Sequence, residues 1–473
     1  MGSPRLNEHI WFWGLFWATV VVIYFLPKMV DYVYMLIVFL LFVRSRQDYF
    51  WLAFFILITN APFGFFTEGS STAAHRLPLF SFGGGLSFST PLIFLFIGLA
   101  KALVKNNRVY SYFSRHYIVF IFYMAFLIAI AFIVHGTGLD VFLDTIKKAF
   151  GLSFIFIIYK LIDNREDKYK FVFLLLPFVF LILADAFYFL ITGGDYIYNI
   201  FNPSHFRRSI NLGVETTSGL NARYLVSGFQ LLYFIFIFSL SFAFTARKKN
   251  YFILAALSAF IVVITGALRS WFVIFSIALL FFIYYSPGKI KSTLAIAVLF
   301  LLLMLPVMHA STGSKAFEGA WSRISTVFDL GESSSASTQT IQMRLTEDLP
   351  KQFSLIEKNP LTGWAFTGKW GNVDTGNFAL IVDTGFVGFL IFLWFWFSYI
   401  HIIRQHIKIL KSKESRNALK MLIVLFLGTL LSHFTTNALF LFYTGIFMGT
   451  IVFLSEFILS EAKLYDQQQV ETW

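Results

Sequence analysis

Long apolar runs, separated by short polar connections, recur along the chain from Ile10 to Leu459. Each is about the length that crosses a hydrocarbon core, roughly 15–25 residues. The runs are apolar all round and carry no single hydrophobic stripe, so they do not fit the helices of a soluble fold. The pattern predicts an all-α chain, a polytopic membrane bundle of about 12–14 spans. The predicted spans are 10–26, 29–43, 49–61, 88–104, 117–134, 147–162, 171–192, 222–244, 251–267, 270–285, 293–308, 377–402, 420–436 and 438–460. The first run, Ile10 to Leu26, has no small-residue cleavage site and reads as a retained helix.

The connections alternate in character. One set is short and basic: Arg44/Arg46, Lys105/Arg108/Arg115, Arg165/Lys168/Lys170, Arg247/Lys248/Lys249, Lys289/Lys291, and Arg404 through Lys420. Excess Lys and Arg marks the cytoplasmic side. The other set comprises Ala61 to Ser87, Gly193 to Asn221 and His309 to Gly376; it is longer, rich in Gly, Ser, Asn and Thr, and is therefore extracytoplasmic. Within the longest loop, Phe317, Trp321, Ile324 and Phe328 recur at helical spacing, as do Ile341, Leu345, Leu349 and Phe353. Gly331 to Ser337 reads as a flexible connector between them. Two amphipathic helices capping the outer face are expected, and a further interfacial helix over Leu139 to Leu152, containing Asp144, Lys147 and Lys148. The expected organisation is a transmembrane bundle over 1–308, a capping loop over 309–376, and C-terminal transmembrane helices with a cytoplasmic tail over 377–473.

Composition agrees and narrows the chemistry. Hydrophobic residues make up 58% and charged residues 13%, against about 25% charged in ordinary soluble domains. The net charge of +12 follows from the basic loops, so no nucleic-acid partner is expected. The absence of Cys excludes disulfides, thiolate metal sites and Cys nucleophiles. No glycine-rich nucleotide loop is evident, and paired Asp motifs of a metal-dependent transferase are missing. No cofactor and no metal are expected.

Arginine on the outer side runs against the charge bias. Arg207, Arg208, Arg223, Arg269 and Arg344 all fall there in this topology. A cation at membrane depth is costly and usually faces a cavity or a partner; Asp185 and Asp383 are the candidate partners. A planar guanidinium matches phosphate by paired hydrogen bonds, so the converging arginines point to a diphosphate headgroup on a long lipid.

A family pattern carries this further. Thr265-Gly266-Ala267-Leu268-Arg269-Ser270 is followed, across the long loop, by Arg344 and then Asn359-Pro360-Leu361-Thr362-Gly363-Trp364. The loop closes on Asp374-Thr375-Gly376-Asn377-Phe378-Ala379-Leu380, with Gly385 and Gly388 behind it, and ten residues separate Arg208 from Gly219. Together these resemble the O-antigen ligase and polymerase superfamily over about Asn202 to Gly388. The resemblance implies a GT-C-like bundle in the bacterial cytoplasmic (inner) membrane with its active site facing the periplasm. Ligases of that superfamily carry a His-Asn pair where this chain has Gly376-Asn377, and the nearest histidines, His309 and His401, stand far off in sequence. The departure favours a polysaccharide polymerase over a ligase.

The implied reaction moves a glycan from a polyprenyl-diphosphate donor to a sugar hydroxyl on a second lipid-linked repeat. Arg208, Arg269 and Arg344 would stabilise charge on the leaving diphosphate, and Asp374 would take the acceptor proton. Arg207, Arg223, Glu347 and Asn377 are the expected substrate-binding residues, with Asp348 and Glu215 as further candidate bases. Expected partners are the lipid-linked donor and acceptor, membrane lipids and a chain-length regulator. Two alternatives stand: ligation to lipid A core, and transport of a lipid-linked glycan, which Asp31, Lys101, Asp185 and Asp383 keep open.

Overall fold

The computed structural model describes residues 6–60, 77–82, 86–105, 112–136, 157, 160–162, 165–192, 229–245, 249–265, 269–285, 349–365, 376–435 and 451–460. Helix dominates them, as expected of an all-α chain. The chain forms two compact units that interleave in sequence: Met1–Pro78 with Asn164–Gly331, and Leu79–Asp163 with Glu332–Trp473.

The first unit contains α1 (Leu6–Phe25), α2 (Lys28–Arg44), α3 (Asp48–Asn60), α6 (Arg165–Leu175), α7 (Pro177–Thr192), α8 (Phe229–Thr245), α9 (Lys249–Thr265) and α10 (Arg269–Tyr285). Every residue from Trp51 to Ile58 is buried, so α3 is a core helix touched on several sides, by α1, α6 and α8. Phe12 of α1 sets its ring edge-on to Phe50 and Phe54, at 5.4 and 6.5 Å. The most extensive pairing among the described residues joins α8 and α9, and α9 buries the small residues Ala255, Ala256 and Ala259. Phe236 of α8 stacks on Phe275 of α10 at 3.9 Å. Pro27 separates α1 from α2, whose start it precedes in extended conformation.

The second unit contains a hairpin, β1 (Leu79–Phe82) paired antiparallel with β2 (Leu86–Ser89), then α4 (Thr90–Val104), α5 (Ser114–Ile133), α11 (Leu349–Lys358), α12 (Gly376–Ile409), α13 (Lys413–Thr435) and α14 (Ile451–Ser460). Tyr399 is its central anchor. The ring is fully buried, stacks on Phe426 of α13 at 4.1 Å, and its hydroxyl shares a 2.6 Å hydrogen bond with Ser455 of α14. On its α5 side it meets Phe113 at 5.5 Å. Ser412 caps α13: its hydroxyl accepts the backbone N–H of Ser415 at 3.2 Å.

Several boundaries differ from the sequence reading. The predicted loop 61–87 holds the first strand and the start of the second, in register Leu79 to Ser89, Phe80 to Phe88, Ser81 to Ser87 and Phe82 to Leu86. The predicted span 171–192 is two helices. The chain turns at Leu176 because Pro177 has no N–H to continue α6 and instead opens α7. The residues Arg165, Lys168 and Lys170, expected in a loop, are part of α6, and Lys170 pairs with Glu8 at 3.7 Å. In the capping loop, the described helix is Leu349–Lys358; its buried residues are Gln352 and Ile356, while Phe353 is half-exposed against Phe378. The helices predicted around Phe317–Phe328 and Leu139–Leu152, and the span 293–308, lie outside the described residues.

Among the described residues, two stretches reach by length and composition what a bilayer crossing needs: Leu6–Ile23 and Phe378–Ile409. Further apolar stretches there, such as Ile118–Ile133 within α5, run to 10–17 residues. Large apolar side chains face outward on long and short helices alike, including Trp11 and Phe25 of α1, Met29 and Leu40 of α2, Phe122 and Ile133 of α5, and Leu390 and Phe397 of α12.

Candidate functional site

Of the residues singled out in the sequence, Arg207, Arg208, Arg223, Arg344, Glu347 and Asp374 lie outside the described residues. Arg269 is the first residue of α10, in the first unit. Asn377 lies in the first turn of α12, in the second unit. Asp31 of α2 and Asp383 of α12 are both buried, at 4% and 2% exposure.

The described structure does bring together two of the motif segments. The chain leaves α11 through a tight turn, with Asn359 N–H on Ile356 C=O at 3.2 Å and Gly363 N–H on Asn359 C=O at 3.1 Å. This turn lies against an interruption in α12. At Gly385 the helix breaks, with φ 66° and ψ −177°, leaving one helical segment before it and a longer one after it. A break strands backbone groups on both sides: carbonyls at the end of the first segment and N–H groups at the start of the second. The turn takes them up. Phe386 N–H donates to Pro360 C=O at 2.8 Å, Val387 N–H to Leu361 C=O at 3.3 Å, and Trp364 N–H to Val382 C=O at 2.7 Å.

Glycine is required at both faces of this joint. A Cβ on Gly363, at φ +63°, would stand 2.5 Å from Gly385 N and Val382 O. A Cβ on Gly385 would run into the carbonyl of Leu361, and its conformation is one that only glycine adopts readily.

Two aromatic side chains hold the joint from α5 and the residues after it. The Tyr123 hydroxyl donates to the Thr384 carbonyl, the last before the break, and its ring lies against Gly388 just beyond it. Trp364 lies over His135 and donates its indole N–H to Leu355 C=O at 3.1 Å. Thr384 turns its own hydroxyl back to Leu380 C=O at 2.8 Å, so its side chain stays within the first segment.

Electrostatically, the break sets a negative helix end against a positive one, and the turn satisfies both with neutral backbone groups. The first segment opens at Gly376-Asn377, so the joint fixes the far end of the element that carries the motif. Among the described residues, no three His, Asp or Glu side chains gather so as to hold a metal ion.

Sequence reasoning had Gly363, Gly385 and Gly388 in its motif segments but gave no role to Tyr123. The available signal was the pair of glycines inside an otherwise continuous apolar run, which marks an interruption or a close backbone approach. Nothing in the sequence says which distant side chain would meet it. No known family model matches this sequence, and no curated protein matches it.

Proposed function

We propose that this chain is a polytopic membrane glycosyltransferase of the cytoplasmic membrane that extends a polysaccharide on its extracytoplasmic face. The observation that carries the reading is the docking of Asn359–Trp364 onto the interrupted helix α12. Two motif segments that resemble the O-antigen ligase and polymerase superfamily, separated in sequence, meet backbone to backbone through glycines that tolerate no side chain. The membrane part of the reading is supported by outward apolar faces on α1, α2, α5 and α12, far beyond the scattered single residues of a soluble surface. Helices of 17 residues, such as α2, α8, α9 and α10, reach about 25 Å, near the thickness of a hydrocarbon core.

In the proposed reaction the bond between the donor's anomeric carbon and its phosphate oxygen breaks, and the diphosphate leaves on its polyprenyl chain. The acceptor hydroxyl oxygen forms the new glycosidic bond, and its proton passes to Asp374. Arg208, Arg269 and Arg344 bind the diphosphate and stabilise the charge it gains. Arg207, Arg223, Glu347 and Asn377 hold the two glycans, and the loop 309–376 keeps them in line.

The test uses purified protein with short lipid-linked repeats, with and without a rough-type lipid acceptor, and separates the products by size. A ladder formed from repeats alone supports the polymerase. Product that appears only with the rough-type lipid identifies a ligase instead.

A second reading has its own observation. Interrupted helices and buried charges near them are common in transporters, and α12 is interrupted two residues after buried Asp383. Against it, Pro360, Leu361 and Trp364 occupy backbone groups that an ion or substrate would use at such a break. Movement of lipid-linked glycan across a vesicle bilayer, without any change in glycan length, would establish the transporter and end the transferase reading.

A further inference from the structure

We infer that Tyr123 is a positioning residue: its side chain spans the break in α12 and thereby sets where Gly376-Asn377 presents itself to substrate. The inference rests on the transferase reading and deepens it.

A helix interrupted at one glycine has a swivel at that point, because the residues on either side no longer share continuous helical hydrogen bonds. Two devices restrain this one. The turn 360–364 bonds to both sides, through Val382 before the break and Phe386 and Val387 after it. Tyr123 does so with one side chain, its hydroxyl donating to Thr384 C=O and its ring lying against Gly388. The turn belongs to the capping loop's own end, whereas Tyr123 belongs to α5, a separate helix packed along α12. Below Tyr123, Phe120 meets Phe392 at 5.3 Å and Phe113 meets Phe395 at 5.9 Å, so α5 is anchored to the second segment of α12 independently of the joint. A Cβ on Gly388 would strike Thr384 and lie 2.9 Å from the Tyr123 ring, so the ring already fills the space that Gly388 leaves. The hydroxyl therefore references the first segment to a fixed neighbour. Asn377 sits two turns from Thr384, and a small rotation at the break displaces it. Displacement of that order costs rate more than binding, because reactants still bind but meet out of line.

The experiment uses the full chain in nanodiscs with short lipid-linked repeats, alongside hydrogen exchange of the α12 amides. Tyr123→Phe keeps the ring and removes the hydroxyl. Counted per folded molecule, from the monodisperse gel-filtration peak, it should lower kcat roughly tenfold while donor KM stays within about twofold; loss of folded protein alone would leave kcat per folded molecule unchanged. The amides around Gly385–Gly388 should exchange faster, with those beyond Phe395 unchanged. Phe386→Pro, which deletes the amide donating to Pro360 and leaves Tyr123 in place, should give a kcat loss of the same kind. Phe126→Leu, whose ring lies 6.2 Å from Tyr123, should change neither readout. An active wild type with an equally active Tyr123→Phe overturns the positioning role alone, as does faster exchange with unchanged kcat. A wild type that extends no glycan, with these amides protected, overturns the transferase reading and takes the positioning role down with it.

Discussion

Trp364 stacks on His135, with ring centroids 5.7 Å apart and planes 24° from parallel. The same indole hydrogen-bonds Leu355, and its backbone N–H holds Val382, so one residue ties together the end of α5, α11 and α12.

Trp364→Phe retains an aromatic ring over His135 but deletes the bond to Leu355. It should lower stability by about 1 kcal/mol, the ordinary net worth of such a bond. Melting of the purified protein in detergent would register the loss; an unchanged midpoint would mean the indole N–H contributes nothing.

The two ends of the glycine scale should behave oppositely. Gly385→Ala forces a side chain into glycine-only backbone space and onto the Leu361 carbonyl, at a cost exceeding about 3 kcal/mol. Gly14→Ala, in α1 with nothing within 4 Å of its new Cβ, should stabilise by about 0.5–1 kcal/mol. Equal expression and melting of the two variants would contradict the geometry of the joint.

Orientation is testable because the chain has no Cys. A single Cys at Ser335 should react with a membrane-impermeant maleimide in cells whose outer membrane alone is permeabilised. Labelling that requires rupture of the cytoplasmic membrane would reverse the topology and remove the proposed mechanism.

Arg344→Lys should abolish most chain extension while the protein still inserts and folds, since an ammonium keeps the charge but not the paired donors. Arg208→Lys and Arg269→Lys should do the same. Asp374→Asn should slow extension yet leave lipid-linked substrate bound, measured by co-purification of labelled donor. Normal polymer from all three lysine variants would rule out a diphosphate clamp.

Some helix positions were legible where an apolar run met a polar boundary, while α12 and α13 run on into the basic connection predicted between 402 and 420. The predicted spans 49–61 and 88–104 fall within two residues of α3 and α4 at each end. Departures trace to local backbone chemistry inside apolar stretches: Pro177 divides one run, Gly385 breaks another, and a hairpin occupies residues read as loop. On α11 the apolar spacing that includes Phe353 was legible, whereas the burial of the polar Gln352 was not. At the candidate site, the motif segments were visible but their meeting was not. Backbone-to-backbone bonds such as Phe386 to Pro360 leave no side-chain signature beyond the glycines that permit them.

The joint in α12 also has a direction in time. Synthesis proceeds from the N-terminus, so Tyr123 leaves the ribosome before the Thr384 carbonyl it donates to, and Pro360 and Leu361 leave before the amides of Phe386 and Val387 they accept from. The stretch Gly376–Ile409 therefore never has to exist as one straight rod; its second segment starts against acceptors already made. A permuted chain that made α12 ahead of α11 would end with the same contacts and lose that order. Its yield of correctly assembled protein, and not the stability of what assembles, would carry the difference.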